Sequence, residues 1–369
     1  MTHLTIPALA KKLSMNSETL RNKLKRHGYL TIDRNNKWEL TEKGKEAGGE
    51  YYNFYGRKVK FPEDFELTNS VSRIRNVNIR QTNLRFDFFH DVYLRDVELS
   101  GLRSLKNNPV HKNLANGTRG LENEEECIYY SALYAGMHYY KLRDSFRFAK
   151  NNSDYFENLN NLELFDWGCG QGFGTSVLLE FLETDLNFSG NILIKLNDIS
   201  KVAIKRGINE NIMPAIRNNN VSSNIKISRR VKSINDLVTS DIDTNKRDDF
   251  LSYNNVTNNQ KFIHIMSNIL DVAIIDEIAF AKLFFELLEI DSFKGHHYFF
   301  CLSPKNAGAK GSINRFRNLF RKRFSNKFLE IRQTSDPIEN VEYYGFLPNK
   351  RFSSDKPCTR YEVQFSVIN

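Results

Sequence analysis

The stretch "LELFDWGCGQGFG", residues 162 to 174, decides the reading of this chain. Leu162, Leu164 and Phe165 run into Asp166, and glycine then occupies every second position at 168, 170 and 172. An apolar run of this length ending at an acid reads as a buried parallel strand that stops at its carboxyl edge. The segment "TSVLLEFLETDL" (175–186) follows with Val177, Leu178, Phe181 and Leu182 at helical spacing. The glycines therefore fall in a strand-to-helix turn, where open α/β sheets bind ligands beside the amides of a helix N-terminus.

The spacing excludes other phosphate and dinucleotide loops. A dinucleotide fingerprint needs glycine at positions 0, 2 and 5. Counted from Gly168 the third position is Phe173, and counted from Gly170 it is Thr175. The lysine–hydroxyl pair of a nucleotide-triphosphate loop is also missing. The run Asp166-x-Gly168-x-Gly170-x-Gly172 resembles the first motif of Rossmann-like S-adenosylmethionine-dependent methyltransferases. That resemblance implies S-adenosyl-L-methionine as cofactor, lying over Gly168, Cys169, Gly170, Gln171 and Gly172 because β-carbons would fill its space. It also implies Asp166 as the acid facing the methionine ammonium.

The downstream sequence continues the pattern. "GNILIKLNDIS" (190–200) reads as a second strand ending at Asp198, which the resemblance assigns to the ribose hydroxyls. "IKISRRVKSINDL" (225–237) carries a third strand, with Asp236 near the adenine amino group or on the surface. "KFIHIMSNILDV" (261–272) is a fourth, delivering Ser267 and Asn268 to the same edge. Asn268 and Asp271 either orient an acceptor or cap the next helix. "HHYFFCLSP" (296–304) is a fifth strand, and "TRYEVQFSVI" (359–368) a late antiparallel one. Alternating strands and helices give an α/β fold, a Rossmann-like doubly wound methyltransferase sheet.

No proline pair with an aromatic follows the fourth strand, so the usual amino-methylation of DNA bases is disfavoured. Pro357-Cys358 lies in the wrong element for cytosine C5 chemistry. Residues 122–305 also resemble a bacterial methyltransferase-like group distantly similar to ribosome-associated methyltransferase-like proteins of mitochondria. That likeness fixes no substrate, and catalytic residues stay unassigned.

The first 60 residues hold 13 Lys/Arg against six Asp/Glu, much of the +9 formal charge. Ile6, Leu9, Ala10 and Leu13 define a short amphipathic helix, and a second runs from Ser17 to His27 over Leu20 and Leu24, with Gly28 as its C′ residue. "YLTIDRNNKWEL" (29–40) reads as a hairpin, and "LTEKGKEAG" as a further short helix. This arrangement, with the run Trp38 to Lys45, resembles winged helix-turn-helix domains of phage antirepressor type. The resemblance implies nucleic-acid contacts from Ser17, Arg21, Asn22, Lys25, Arg26 and Lys37. A second basic run, 310–327, adds Arg315, Arg317 and Arg321, suited to a phosphate backbone.

The expected domains are 1–56, winged helix-turn-helix; 57–120, connecting; and 121–369, methyltransferase. Within the connecting part "LRFDFFHDVYLRDVELS" (84–100) fits strand or helix equally. From Glu122 a helix is expected to bury Tyr130, Tyr134, Met137 and Leu142, with His138 and Lys141 either lining a pocket or serving the core. Four scattered cysteines propose neither a zinc site nor disulfides, so a cytoplasmic setting is expected. No membrane span or secretion signal is expected. The alternative function is a DNA-binding regulator, or a phage-conflict effector, whose methyltransferase-like domain only senses the cofactor or is degenerate.

Overall fold

The structure is a computed structural model. It describes residues 3–12, 16–26, 29–33, 37–51, 58–62, 85–100, 114, 119–218, 225–239, 260–270, 272, 275–290, 293–339, 341 and 357–369. The chain divides into two compact units, Met1–Thr82 and Asn83–Asn369.

In the first unit, β1 (His3–Thr5) leads into α1 (Ile6–Lys12), followed by α2 (Ser17–Arg26). A hairpin of β2 (Leu30–Ile32) and β3 (Trp38–Leu40) comes next, then α3 (Glu42–Glu46), β4 (Glu50–Tyr51) and β5 (Val59–Pro62). Ile6, Leu9, Ala10, Leu20 and Leu24 form the core with Leu30, Leu40 and Phe61, because helical spacing puts them on the inward faces. Asp33 shapes the hairpin, its carboxylate accepting from the Lys37 amide at 2.8 Å. Leu13 and Gly28 lie outside the described residues.

The first unit also holds a sheet absent from the sequence expectation, in which β5 pairs antiparallel with β1 and β4. Chain beyond residue 56 therefore completes this unit. Residues 85–100 belong to the second unit instead: they are helical, a π-helical stretch Phe89–Leu94 running into α4 (Arg95–Ser100). Helical spacing brings Phe88, Val92 and Tyr93 to one face, and all three are fully buried in the larger core.

That unit is built on a seven-stranded sheet: β6 (Asn161–Trp167), β7 (Asn191–Asp198), β8 (Ile225–Val231), β9 (Lys261–Ser267), β10 (His296–Ser303), β11 (Phe328–Thr334) and β12 (Tyr361–Ile368). The spatial order is β11-β12-β10-β9-β6-β7-β8. β8, β7, β6, β9 and β10 run parallel, and β12 is antiparallel to both its neighbours. The chain proceeds outward from β6 to β8, then returns to β9 on the other side of β6. The strand order thus reverses between β6 and β9, the switch point at which such sheets place ligands. This is the doubly wound, mostly parallel α/β sheet expected.

Helices cover both faces: α5 (Glu124–Asn152), α6 (Phe173–Leu186), α7 (Lys201–Arg206), α8 (Met213–Asn218), α9 (Ile234–Thr239), α10 (Glu277–Leu288) and α11 (Ala307–Arg323). Strand alternation sorts the core in two. Leu162, Leu164, Ile263, Ile265, Tyr298 and Phe300 face the cluster that holds α5 and α6. Phe165, Trp167, Phe262, Met266 and Phe299 face the cluster that holds α10 and α11. β12, read from sequence as a late strand, is buried on both faces. α11 covers one through Phe316 and Phe320 on Phe365, α5 meets the other where the Ser145 carbonyl accepts from Gln364, and β11 pairs along its outer edge. Among the described residues no helix is long and apolar enough to cross a membrane.

Candidate functional site

The glycine turn lies at the carboxyl end of β6, against the switch point. Gly168, Gly170 and Gly172 all have positive φ, at 62°, 52° and 67°. L side chains rarely adopt that region, so the backbone path itself demands glycine. The sequence expectation assigned all three to cofactor space, and the structure divides them. A β-carbon on Gly168 would stand 2.5 Å from the Ile269 side chain, and one on Gly172 would stand 2.7 Å from Ile212. Those two vacancies are filled by the protein itself. At Gly170 a β-carbon would meet nothing within 4 Å, so this is where the turn leaves open space.

Asp198, at the end of the neighbouring β7, closes onto the same residue. Its Oδ2 accepts from the Gly170 amide at 2.7 Å, and its Oδ1 accepts from the Ser200 amide at 2.8 Å. The Ile199 amide also faces this carboxylate, which keeps part of its acceptor capacity for further donors. Burial raises the Asp198 pKa against those backbone bonds. Asp166 serves the chain more directly: its Oδ2 accepts from both the amide (3.0 Å) and the hydroxyl (2.8 Å) of Thr175, tying strand to helix. Burial pushes its carboxyl up to about 7, against the Thr175 bonds. Cys169 is buried, its amide donating to the Asn197 carbonyl, and burial pushes its thiol up.

Gln171 points away from the turn and anchors it. Its amide nitrogen donates to the Cys127 carbonyl at 2.8 Å, and its Oε1 accepts from Arg206 at 2.8 Å. Arg206 also pairs with the fully buried Asp96 at 2.8 Å, and Asn211 donates to the Gln171 carbonyl at 2.9 Å. Asp96, Arg206 and Asn211 were missed by sequence reasoning. Asp96 and Arg206 stand beside other charges, at Arg95 and Lys205, and Asn211 is uncharged, so nothing in the sequence sets them apart.

The second polar cluster at this edge joins α5 to the end of β9. Lys141 Nζ donates to Asn268 Oδ1 at 2.9 Å, Asn268 Nδ2 lies 3.1 Å from His138 Nε2, and His138 Nδ1 lies 3.1 Å from Ser267 Oγ. Burial and the nearby Lys141 charge pull the His138 pKa well below its ordinary value, so the ring is neutral. The cluster touches the glycine turn on two sides. Ile269 fills the space beside Gly168, and the Phe173 ring, one residue past Gly172, lies 5.7 Å from the His138 ring. Asn268 does not cap the following helix: Asp276 does, accepting from the Ile278 and Ala279 amides at 3.0 Å. Asp271 lies outside the described residues.

The other expected site residues have different surroundings. Asp236 is exposed in the first turn of α9, bonded through its amide to Ser233. Arg317 is 9% exposed, its guanidinium occupied by Asn318, Glu330 and Gln333. Arg315 is exposed and paired with Glu277, and Arg321 is exposed, 4.0 Å from Glu330. On α2, Arg21 and Ser17 are half-buried and Lys25 is exposed, as is Lys37 on the hairpin. The side chains of Asn22 and Arg26 lie outside the described set.

No protein-family model matches this chain, and no curated protein matches it. Solved structures with a similar fold are methyltransferases acting on varied substrates. The plantazolicin methyltransferase BamL, solved with a triazolic desmethyl analogue and SAH, is 10% identical over 74% of this chain and 98% of its own, with a TM-score of 0.33. The geranyl diphosphate C-methyltransferase of Streptomyces coelicolor A3(2) is 10% identical over 71% and 99%, with a TM-score of 0.32. An rRNA methylase from Streptococcus thermophilus is 9% identical over 63% and 96%, with a TM-score of 0.31. At these scores the likenesses carry no functional weight.

Proposed function

We propose that this chain is an S-adenosyl-L-methionine-dependent methyltransferase recruited to nucleic acid by its N-terminal unit. The observation that carries the reading is the pairing of Gly170 and Asp198 at the switch point. One leaves open space over a left-handed backbone, and the other brings a carboxylate with acceptor capacity left beside it. An adenosyl group needs that combination, since neighbouring ribose hydroxyls are two donors seeking acceptors.

When bound, the cofactor supplies a methyl group already activated on a sulfonium. The chain's own tasks are to hold the ribose at Asp198, keep the turn in shape through Asp166 and Gln171, and orient an acceptor in line with the methyl carbon. Ser267 and Asn268, at the carboxyl end of β9, are the residues proposed to meet that acceptor. Exposed Lys25 and Lys37, with Arg21, Ser17, Asn22 and Arg26 on α2, are proposed to hold nucleic acid in the manner of a winged helix-turn-helix domain.

The test is thermal unfolding with and without S-adenosylmethionine. At 100 times its dissociation constant the ligand stabilises by about 2.7 kcal/mol. Gly170→Arg should abolish the shift by filling the open space. An unshifted wild-type protein would sink the enzymatic reading. Arg21→Ala with Lys25→Ala should release nucleic acid while keeping the cofactor shift, and unchanged retention would remove the recruiting role.

A further inference from the structure

The polar cluster at the end of β9 has a direction. Lysine is donor-only, so the atom of Asn268 facing Lys141 at 2.9 Å is the carbonyl oxygen. The amide nitrogen of Asn268 therefore faces His138 and donates to Nε2, which must be unprotonated. The ring proton then sits on Nδ1 and is donated to Ser267 Oγ at 3.1 Å. Ser267 receives a hydrogen bond from behind and has its own hydroxyl proton left to give. The second N–H of Asn268 is likewise left over. Both residues are half-exposed at the sheet edge, while His138 and Lys141 behind them are buried.

From this chain we infer that the edge presents hydrogen-bond donors to the methyl acceptor, and that the acceptor atom is an unprotonated ring nitrogen of a nucleobase flanked by a carbonyl oxygen, as on the Hoogsteen edge of guanine. The inference rests on the methyltransferase reading and narrows its substrate. An exocyclic amino group would need acceptors at this edge, and would have to lose a proton after methylation. Ser267 Oγ and Asn268 Oδ1 each keep one lone pair for such a group, but no described residue of the cluster is placed to take its proton, because both nitrogens of His138 are already bonded to Ser267 and Asn268. A ring nitrogen makes no such demand. Its lone pair forms the new nitrogen–carbon bond and the carbon–sulfur bond breaks with its pair on sulfur. The ring takes up the positive charge, and no proton is released. Ser267 and the Asn268 amide donate to the flanking carbonyl oxygen, which accepts through two lone pairs. His138 and Lys141 are positioning residues, acting through Ser267 and Asn268.

Two measurements test this. In the apo protein, nitrogen-15 spectra of the imidazole rings should show His138 neutral and protonated on Nδ1 at neutral pH. Lys141→Met should release the amide and move the proton to Nε2. A wild-type His138 protonated on Nε2 overturns the inference whatever the substrate. Separately, methyl-labelled S-adenosylmethionine is incubated with total RNA and with duplex DNA, and the nucleosides are identified by mass spectrometry. Label is expected on a purine ring nitrogen, and Ser267→Ala should lower kcat by about tenfold, the worth of one lost hydrogen bond, with the cofactor thermal shift intact. Label on an exocyclic amine, or on neither nucleic acid despite a cofactor shift, overturns it. Absence of any cofactor shift instead removes the enzymatic reading beneath it.

Discussion

Among the described residues two lysines lie inside the larger unit, Lys195 at 1% exposure and Lys141 at 3%, and the chain uses them in opposite ways. Lys195, in the middle of β7, pairs with the fully buried Glu163 on β6 and lies 4.8 Å above the Phe165 ring. The pair is sealed within the core under α10. Burial pushes both partners toward their neutral forms, lowering the lysine pKa and raising that of the glutamate. Lys141, one turn past His138 on α5, reaches the Asn268 amide at the sheet edge, and the bonds continue to Ser267. The difference is position along the strands. In mid-strand a buried charge can only be neutralised, whereas at the carboxyl edge it can polarise a chain of groups that ends where ligands bind.

The largest effect expected is on the sealed pair. Lys195→Met leaves Glu163 buried without its partner and should cost about 3–5 kcal/mol in urea unfolding. Adding Glu163→Leu should recover most of that loss, because the desolvation penalty of both charges disappears. A double variant as unstable as the single one would mean that the loss does not come from an unpaired Glu163. Lys141→Met should cost less, about 1–3 kcal/mol, the penalty of one amide oxygen left short of a donor. If the edge lysine proves the costlier of the two, it is a structural staple, and the contrast fails.

Sequence legibility follows the same division. Strands β6 to β10 and β12, the glycine turn and α6 were readable because each is specified by its own residues: apolar patterning, a required positive φ, helical spacing. Asp198 was readable as a strand end. The roles of Gly168 and Gly172 were not, because Ile269 and Ile212, which fill their missing β-carbons, are distant in sequence. Arg317 sits in a basic helix that looked solvent-facing, yet Glu330 and Gln333 on β11, a strand the pattern did not reveal, draw it inward. His138 and Lys141 could be placed on a helix but not given a partner, since Asn268 is 127 residues beyond Lys141. Local chemistry is legible in sequence, and pairings across the sheet are not.

Asp166 supplies the third and smallest effect, at any single step in pH, and it separates a sealed charge from a ligand-facing one. Its bonded partners are the amide and hydroxyl of Thr175, which do not titrate, so its own proton can be followed. Burial raises its carboxyl from 3.8 to about 7. The folded chain therefore holds a proton that the unfolded chain releases between about pH 4 and 7. Stability from this group is fullest below pH 4, declines as the pH rises to about 7, and is level above. One proton changes stability by at most about 1.4 kcal/mol per pH unit. Asp166→Asn should flatten that slope, read as the difference between wild type and variant across pH 4 to 8. A flat difference would show that the carboxyl stays ionised in the folded chain. Saturating S-adenosylmethionine sharpens the result. If the methionine ammonium lies near Asp166, its charge favours the carboxylate and the upper end of the window moves below pH 7. If the window stays in place while the protein is stabilised, the ammonium binds elsewhere, and Asp166 belongs with Glu163 among the charges that serve the fold alone.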